Sequence, residues 1–241
     1  MASEQNSQIH SVLVSGTNQG LGYHTVHQLG ATPNTLVFMG ARKLAAAEEA
    51  RAKFAADIHP SSTVVPIQLD ITDATSIKNA RDFVEKYLKE KGLTGLDALV
   101  NNAAIATGTF QDVYAVNVFG TTDFTQAIRP LIKKNGAIVN VSSTMGSLHY
   151  HTQRPAPTIA YEYSSSKSAL NSLTLQWAIE EEQKGSGIRV VCICPGYNAT
   201  KMNGFAGTMD PSDGCKIIVQ TALAKEGRSG VFINKDGDVK W

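Results

Sequence analysis

Short runs of β-branched and aliphatic residues alternate along this chain with longer stretches whose apolar positions recur every three or four residues. The short runs, at 11–15, 35–41, 63–70, 96–101, 137–143, 188–194 and 231–234, predict seven strands. The longer stretches, at 21–29, 43–57, 74–91, 110–134, 161–184 and 211–225, predict helices. Strands that alternate with helices connect through right-handed crossovers, which gives a parallel sheet with helices on both sides. Ala98-Leu99-Val100 and Ile138-Val139 are apolar toward both faces, as a doubly covered sheet requires. The expectation is therefore an α/β, doubly wound, mostly parallel sheet of about seven strands, with helices on both faces. No repeat or linker divides the 241 residues, so residues 1–241 are expected to form a single domain.

Such sheets bind ligands at the carboxyl ends of their strands. The first strand there runs into Ser15-Gly16-Thr17-Asn18-Gln19-Gly20-Leu21-Gly22, where the first helix opens. Glycines at 16, 20 and 22 permit a tight turn and a close backbone approach to a pyrophosphate. The helix start adds free N–H groups and a positive dipole. No Gly-Lys-Ser/Thr follows, so the loop is not of the triphosphate-hydrolysing kind. The second strand ends Gly40-Ala41-Arg42-Lys43, with two cations and no carboxylate. A carboxylate would hold the ribose hydroxyls of NAD, whereas a guanidinium fork holds the 2′-phosphate of NADP. Arg42 and Lys43 thus point to NADP(H).

Two further segments carry chemistry. The fifth predicted strand ends Ser142-Ser143, and the fifth helix begins Tyr161-Glu162-Tyr163-Ser164-Ser165-Ser166-Lys167. Tyr163 and Lys167 are four apart on one helix face, where an ammonium can stabilise a phenolate and draw its pKa down. Tyr161 has Ser165 at that spacing instead. A Tyr-x-x-x-Lys pair recurs by chance on solvated helices and gains meaning only in company.

Composition narrows the class. The chain is 42% hydrophobic and 18% charged, with a net charge of +1, a balance that marks neither a nucleic-acid nor an acidic-membrane binder. Residues 1–10 are polar and no apolar stretch is long enough to span a bilayer, so a cytoplasmic location with no membrane partner is expected. Cys192 and Cys194 alternate within a strand and Cys215 stands alone, which reads as reduced core thiols rather than a disulfide or metal site.

The ordered set Gly16-x-x-x-Gly20-x-Gly22, Asn101-Asn102-Ala103-Ala104, Asn117, Ser143, Tyr163-x-x-x-Lys167 and Pro195-Gly196 resembles the short-chain dehydrogenase/reductase family over essentially the whole chain. The segment Pro195-Gly196-Tyr197-Asn198-Ala199-Thr200-Lys201-Met202 and the ending Gly230-Val231-Phe232…Asp236-Gly237…Val239-Lys240-Trp241 look most like its carbonyl-reductase-like members. The resemblance implies a Rossmann-type fold and reversible hydride transfer between NADP(H) and a small-molecule carbonyl or alcohol. It implies Ser143 orienting the substrate oxygen, Tyr163 as general acid/base, Lys167 on the nicotinamide ribose, and Asn117 holding a relay water. It places Gly16, Asn18, Gln19, Gly20, Leu21, Gly22, Arg42, Lys43, Asp70, Ile71, Asn102, Ala103, Ala104, Tyr163, Lys167, Pro195, Gly196 and Thr200 along the cofactor. It also implies a homo-oligomer, dimer or tetramer, paired through the helices near 110–134 and 161–184, unless the insertion before Tyr163 keeps the chain a monomer.

Several departures from the family pattern stand out. Ala104 replaces the usual glycine, Gln19 replaces a basic residue frequent in NADP users, and the interval from Asn102 to Asn117 is short. Twenty positions separate Ser143 from Tyr163, longer than usual, the excess being His149-Tyr150-His151-Thr152-Gln153-Arg154-Pro155-Ala156-Pro157. His149 and His151 lack carboxylate partners and read as loop residues rather than metal ligands. The loop after Gly196 is short, reaching the next helix near Asp210-Pro211, which suggests an open site for varied, bulky carbonyls. Two alternatives remain at this level: a dehydrogenase of one polyol, steroid or polyketide-type metabolite, and a non-catalytic NADP-sensing protein.

Overall fold

Alternate side chains of each strand enter opposite hydrophobic layers, so one sheet builds two cores. Val12, Val14, Val37, Met39, Val139 and Val191 face one side, whereas Leu13, Leu36, Phe38, Leu99, Ile138 and Val190 face the other. The computed structural model describes residues 9–153 and 160–241. Its strands are β1 (His10–Ser15), β2 (Thr35–Ala41), β3 (Thr63–Gln68), β4 (Leu96–Asn101), β5 (Ile132–Val141), β6 (Arg189–Ile193), β7 (Val231–Asn234) and β8 (Gly237–Asp238). They form one sheet in the order β3-β2-β1-β4-β5-β6-β7-β8, parallel except for the antiparallel β7–β8 pair. The expected doubly wound architecture is thus present, with the hairpin partner β8 as an eighth strand. Chain direction across the sheet reverses between β1 and β4, which opens a crevice at their carboxyl ends.

Helices α1 (Gly20–Ala31), α2 (Leu44–Ala52), α8 (Pro211–Gly214) and α9 (Lys216–Leu223) belong with the first core. There Val26, Leu29, Ala47, Ala50, Ile218 and Ala222 are buried. Helices α3 (Ala74–Glu90), α5 (Thr121–Ile128) and α7 (Tyr161–Lys184) cover the second through Ile77, Val84, Phe124, Ile128 and Trp177. Two short helices, α4 (Phe110–Tyr114) and α6 (Leu148–Thr152), lie at the carboxyl ends of β4 and β5.

Three expected helices are shorter or broken. The 110–134 stretch stops at Ile128, because Pro130 tightens the chain into a 3₁₀ turn over Arg129–Leu131, and β5 begins at once with Ile132. The 43–57 stretch ends at Ala52, after which Phe54 turns inward onto Tyr23 and His27. The 211–225 stretch divides at Cys215. Residues 154–159, which contain Arg154 to Pro157 of the inserted segment, lie outside the described residues.

The end of α5 is tied to α7 by a charged cluster in which Arg129 and Glu181 are largely buried and Glu180 is half-exposed. Arg129 Nη1 donates to Glu180 at 2.7 Å, and the same guanidinium grips Glu181, whose side chain is 3% exposed. Burial pushes the Glu181 carboxyl upward, but the Ser186 hydroxyl and the Arg129 guanidinium outweigh it and hold it below its usual range. A carboxyl lowered on folding stabilises the fold above its unfolded pKa and ceases to as pH falls through the lowered value. Glu181→Ala leaves Arg129 buried without this partner and is expected to cost roughly 3 kcal/mol. Urea unfolding at pH 7 checks this, with a gap between variant and native chain that narrows in acid. An unchanged midpoint at pH 7 would contradict it.

Candidate active site

A cleft of about 820 Å³ runs along the carboxyl ends of the strands. One end is formed by Gly16, Asn18, Gln19, Gly20, Leu21 and Gly22 at the β1–α1 turn, with Arg42 after β2 and Asp70 and Ile71 after β3. Asn102, Ala103 and Ala104 line its middle, and Ser143, Tyr163, Lys167, Pro195, Gly196 and Thr200 its other end. The wall therefore takes in every residue expected there except Lys43 and Asn117. Lys43 instead stands exposed at the N-cap of α2.

The turn before α1 is shaped for an anion. A Cβ on Gly22 would stand 2.2 Å from the Gly16 carbonyl oxygen, so only glycine allows this closeness. Asn102 Nδ2 fastens the turn by donating to Ser15 O at 3.0 Å and Gly16 O at 2.9 Å. The first turn of α1 has neither a side-chain cap nor an acidic residue, so its amide groups and the helix dipole face the cleft uncompensated. Among the described residues Arg42 forms no ion pair, and its side chain is exposed beside this turn. These features fit a dinucleotide with an added phosphate.

At the other end, Ser143 caps a 3₁₀ turn (Thr144–Gly146), accepting from Met145 N at 3.1 Å. That turn presses on α7. A Cβ at Gly146 would meet the Lys167 main chain at 2.7 Å, and Gly146 O accepts from Ser168 Oγ at 2.9 Å and Asn171 Nδ2 at 3.1 Å. The contact sets Ser143 and Tyr163 side by side. Burial pushes the Tyr163 phenol up to about 12, and the Ser143 hydroxyl draws it back. Burial likewise pushes the Lys167 ammonium down to about 8. Lys167 Nζ donates to Val141 O at 2.8 Å and lies 5.6 Å from the Tyr163 ring centre. The expected lowering of the tyrosine by lysine is thus not what this structure displays. The ammonium is itself buried and engaged with a carbonyl, and desolvation of the phenol dominates.

Asn117 occupies a single π-helical turn (Ala115–Gly120) between α4 and α5. Its Oδ1 accepts from Ile105 N at 2.9 Å, while Nδ2 donates to Ile105 O at 2.9 Å and Ser166 Oγ at 3.0 Å. Both side-chain N–H groups and one Oδ1 lone pair thus hold the loop after β4 to α7. Behind it, Asn101 Nδ2 donates to Thr125 Oγ1 and to Asn140 Oδ1, and Asn140 Nδ2 to Thr174 Oγ1, each at 2.8 Å.

Sequence reasoning gave no site role to Cys194 or Asn198 and took Tyr150 only as part of the inserted 149–157 segment expected at the site's mouth, and all three line the cleft. Asn198 Nδ2 donates to Pro195 O and Gly196 O, Asn203 Nδ2 donates to Asn198 O, and main-chain bonds of Ala199 and Tyr197 with Met209 close the 197–210 loop. The Pro195-Gly196-Tyr197-Asn198 run was its available signal. Cys192, Cys194 and Cys215 are free and buried. His151 Nε2 pairs with Met145 O at 2.7 Å, and among the described residues no group of three potential ligands surrounds a metal position.

A family model described as short chain dehydrogenase matches residues 10–210. The chain belongs to the short-chain dehydrogenase family. It is 32% identical over 232 residues to a short-chain dehydrogenase of Penicillium roqueforti, covering 88% of this chain and 87% of that one. It is 30% identical to carbonyl reductase [NADPH] 1 of Bos taurus, covering 95% of this chain and 97% of that one. Among solved structures, NADPH-bound carbonyl reductase from chicken fatty liver superposes with a TM-score of 0.80 at 30% identity, over 97% of this chain and 99% of the other. The chain is thus an oxidoreductase of this family. Its shared architecture fits the glycine-rich turn and the Ser143–Tyr163–Lys167 grouping.

Asn117→Leu strands the Ile105 N–H and C=O and one Ser166 contact, a loss of about 1–3 kcal/mol on the usual penalty for unpaired buried groups. Thermal unfolding checks it, and an unaltered Tm would show that these hydrogen bonds do not hold the site together.

Proposed function

We propose that this protein is an NADPH-dependent carbonyl reductase of aldehydes and ketones, reversible as an alcohol dehydrogenase, with Tyr163 as general acid/base. The observation that carries the reading is the continuity of one cleft from Arg42 and the α1 amides to Ser143, Tyr163 and Lys167. The carbonyl reductases similar to it are named for NADPH, and the Arg42 guanidinium, which forms no ion pair among the described residues, supports the same cofactor here. Gly16, Gly20 and Gly22 would lie under its pyrophosphate, Arg42 at its 2′-phosphate, Asp70 and Ile71 beside its adenine, and Thr200 and the Pro195-Gly196 backbone at its carboxamide.

The bound nicotinamide would supply the hydride. Ser143 Oγ orients the substrate oxygen, and the Tyr163 hydroxyl donates a proton to it as that oxygen gains charge. Lys167, whose ammonium has one main-chain partner, Val141 O, offers further donors to a ribose and to a proton path behind the phenol. Because burial holds the phenol protonated, the geometry favours reduction at neutral pH, whereas oxidation must first remove that proton. Neither step requires a metal ligand set.

A soluble cytoplasmic setting agrees with the free thiols. Pairing of two copies through α4, α5 and α7 is supported by the exposed Phe110, Phe119 and Tyr161, which run along that side with Tyr114 between the two phenylalanines. Light scattering tests it directly, with a monomer as the contrary result.

Tyr163→Phe is expected to lower kcat for ketone reduction about 10²- to 10⁴-fold while NADPH still binds. Activity retained in that variant would refute the mechanism. Arg42→Ala is expected to raise the KM for NADPH by roughly 10- to 150-fold, with little change for NADH, since a charge-assisted phosphate contact is worth about 1.5–3 kcal/mol. Equal effects on both cofactors would remove the NADP assignment. The pH dependence follows from the half-buried Tyr163 phenol and the buried Lys167 ammonium. Reductive kcat/KM for NADPH should stay level below about pH 8 and decline above it as Lys167 loses its proton, while the oxidative rate climbs with pH. A reductive profile that rises through pH 8 would contradict the roles given to Tyr163 and Lys167.

A further inference from the structure

Beyond Ser143 and Tyr163 the cleft continues to a wall that the reductase chemistry leaves unused. Tyr150 projects from α6 into it, 40% exposed, and Tyr197 and Met202 of the 197–210 loop also line it, at 56% and 43% exposed. Met145 and Met209 add two thioethers. Large apolar side chains held open around a cleft are commonly covered by a ligand, and tyrosine with methionine presents flat, polarizable surface suited to an aryl ring.

The mounting of Tyr150 is specific. Ser147 Oγ donates to Lys240 O at 2.6 Å and accepts from Tyr150 N at 3.0 Å, capping α6. His149 N donates to Trp241 O at 2.9 Å. The Trp241 ring packs on buried Phe232 of β7, with ring centres 5.4 Å apart. His151, stacked edge-on to Tyr150, is fastened to Met145 O. Two main-chain carbonyls beyond β8 thus act as a strut that fixes the helix carrying Tyr150 against the sheet.

We propose that Tyr150 is the residue by which this enzyme discriminates aryl from alkyl carbonyl substrates, and that the Lys240-Trp241 strut is what positions it. This rests on the reductase reading given above. Acetophenone and 2-octanone, matched in carbon number, are suitable probes, with NADPH binding followed by fluorescence as a measure of the folded site. The native enzyme should favour acetophenone in kcat/KM. Tyr150→Leu should lower the ratio of acetophenone to 2-octanone by up to about tenfold, the worth of one aromatic contact. Tyr150→Phe, which keeps the ring, should preserve that ratio. Removal of residues 240 and 241 should raise the KM for acetophenone while its kcat and the NADPH affinity change little. A ratio unaltered in Tyr150→Leu would overturn the assignment while leaving the reductase standing. A truncated chain that loses kcat at constant KM would overturn the strut. A native enzyme that binds NADPH but reduces neither ketone would overturn the reductase reading itself.

Discussion

Everything at the site depends on holding α7 at one height over the ends of β4 and β5. The buried amides of Asn101 and Asn140, with Thr125 and Thr174, do this through a chain of hydrogen bonds that links β4 to β5 and both to the neighbouring helices α5 and α7. In a dry interior such bonds are directional, and a shift of α7 along its axis would leave several buried polar groups unpaired. Ser142 and Cys192 donate to Asn171 on the same helix and extend the lock. The general apolar packing of Trp177 and Leu170 could tolerate some sliding, whereas these amides could not.

Given that lock, the chemistry at the cleft follows from where groups are released from water. Tyr163 and Lys167 share a face of α7, yet each is shifted by its own burial and in the direction that favours the neutral form. The unliganded site thus holds a protonated phenol beside a lysine whose charge burial makes easier to lose. An anionic dinucleotide seated on the α1 amides would bring the counter-charge that such a lysine lacks. Cofactor binding and acid strength would then be linked through Lys167 rather than set by the protein alone.

Much of this was legible in the residues. The alternation of strands and helices, the glycine-rich turn after the first strand and the Arg42 signal needed only local chemistry, and Ser143, Tyr163 and Lys167 stood out through their shared order along the chain. What escaped was whatever depends on tertiary packing. A period of 3.6 ran on past Ile128, but Pro130 and the pairing of Ile132 with Leu96 turned the chain into a strand. The motif marks Asn117 but not the partners of its side chain, Ile105 and Ser166, which only the packing of the loop on α7 supplies. Asn198 and the helix carrying Tyr150 depend on contacts distant in sequence, Gly214 packed against the Asn198 side chain and Lys240 O accepting from Ser147 at the cap of α6.

The central claim is that hydride reaches a substrate carbon in this cleft while Tyr163 protonates the adjoining oxygen. It is tested most directly by isotope transfer. NADPH carrying deuterium at both C4 positions is incubated with the enzyme and a ketone, and the alcohol is examined by mass spectrometry. The account predicts one deuterium on the carbinol carbon, with transfer at least about a hundredfold slower when Tyr163→Phe replaces the native enzyme. An alcohol product free of deuterium, or equal transfer by the variant, would contradict it.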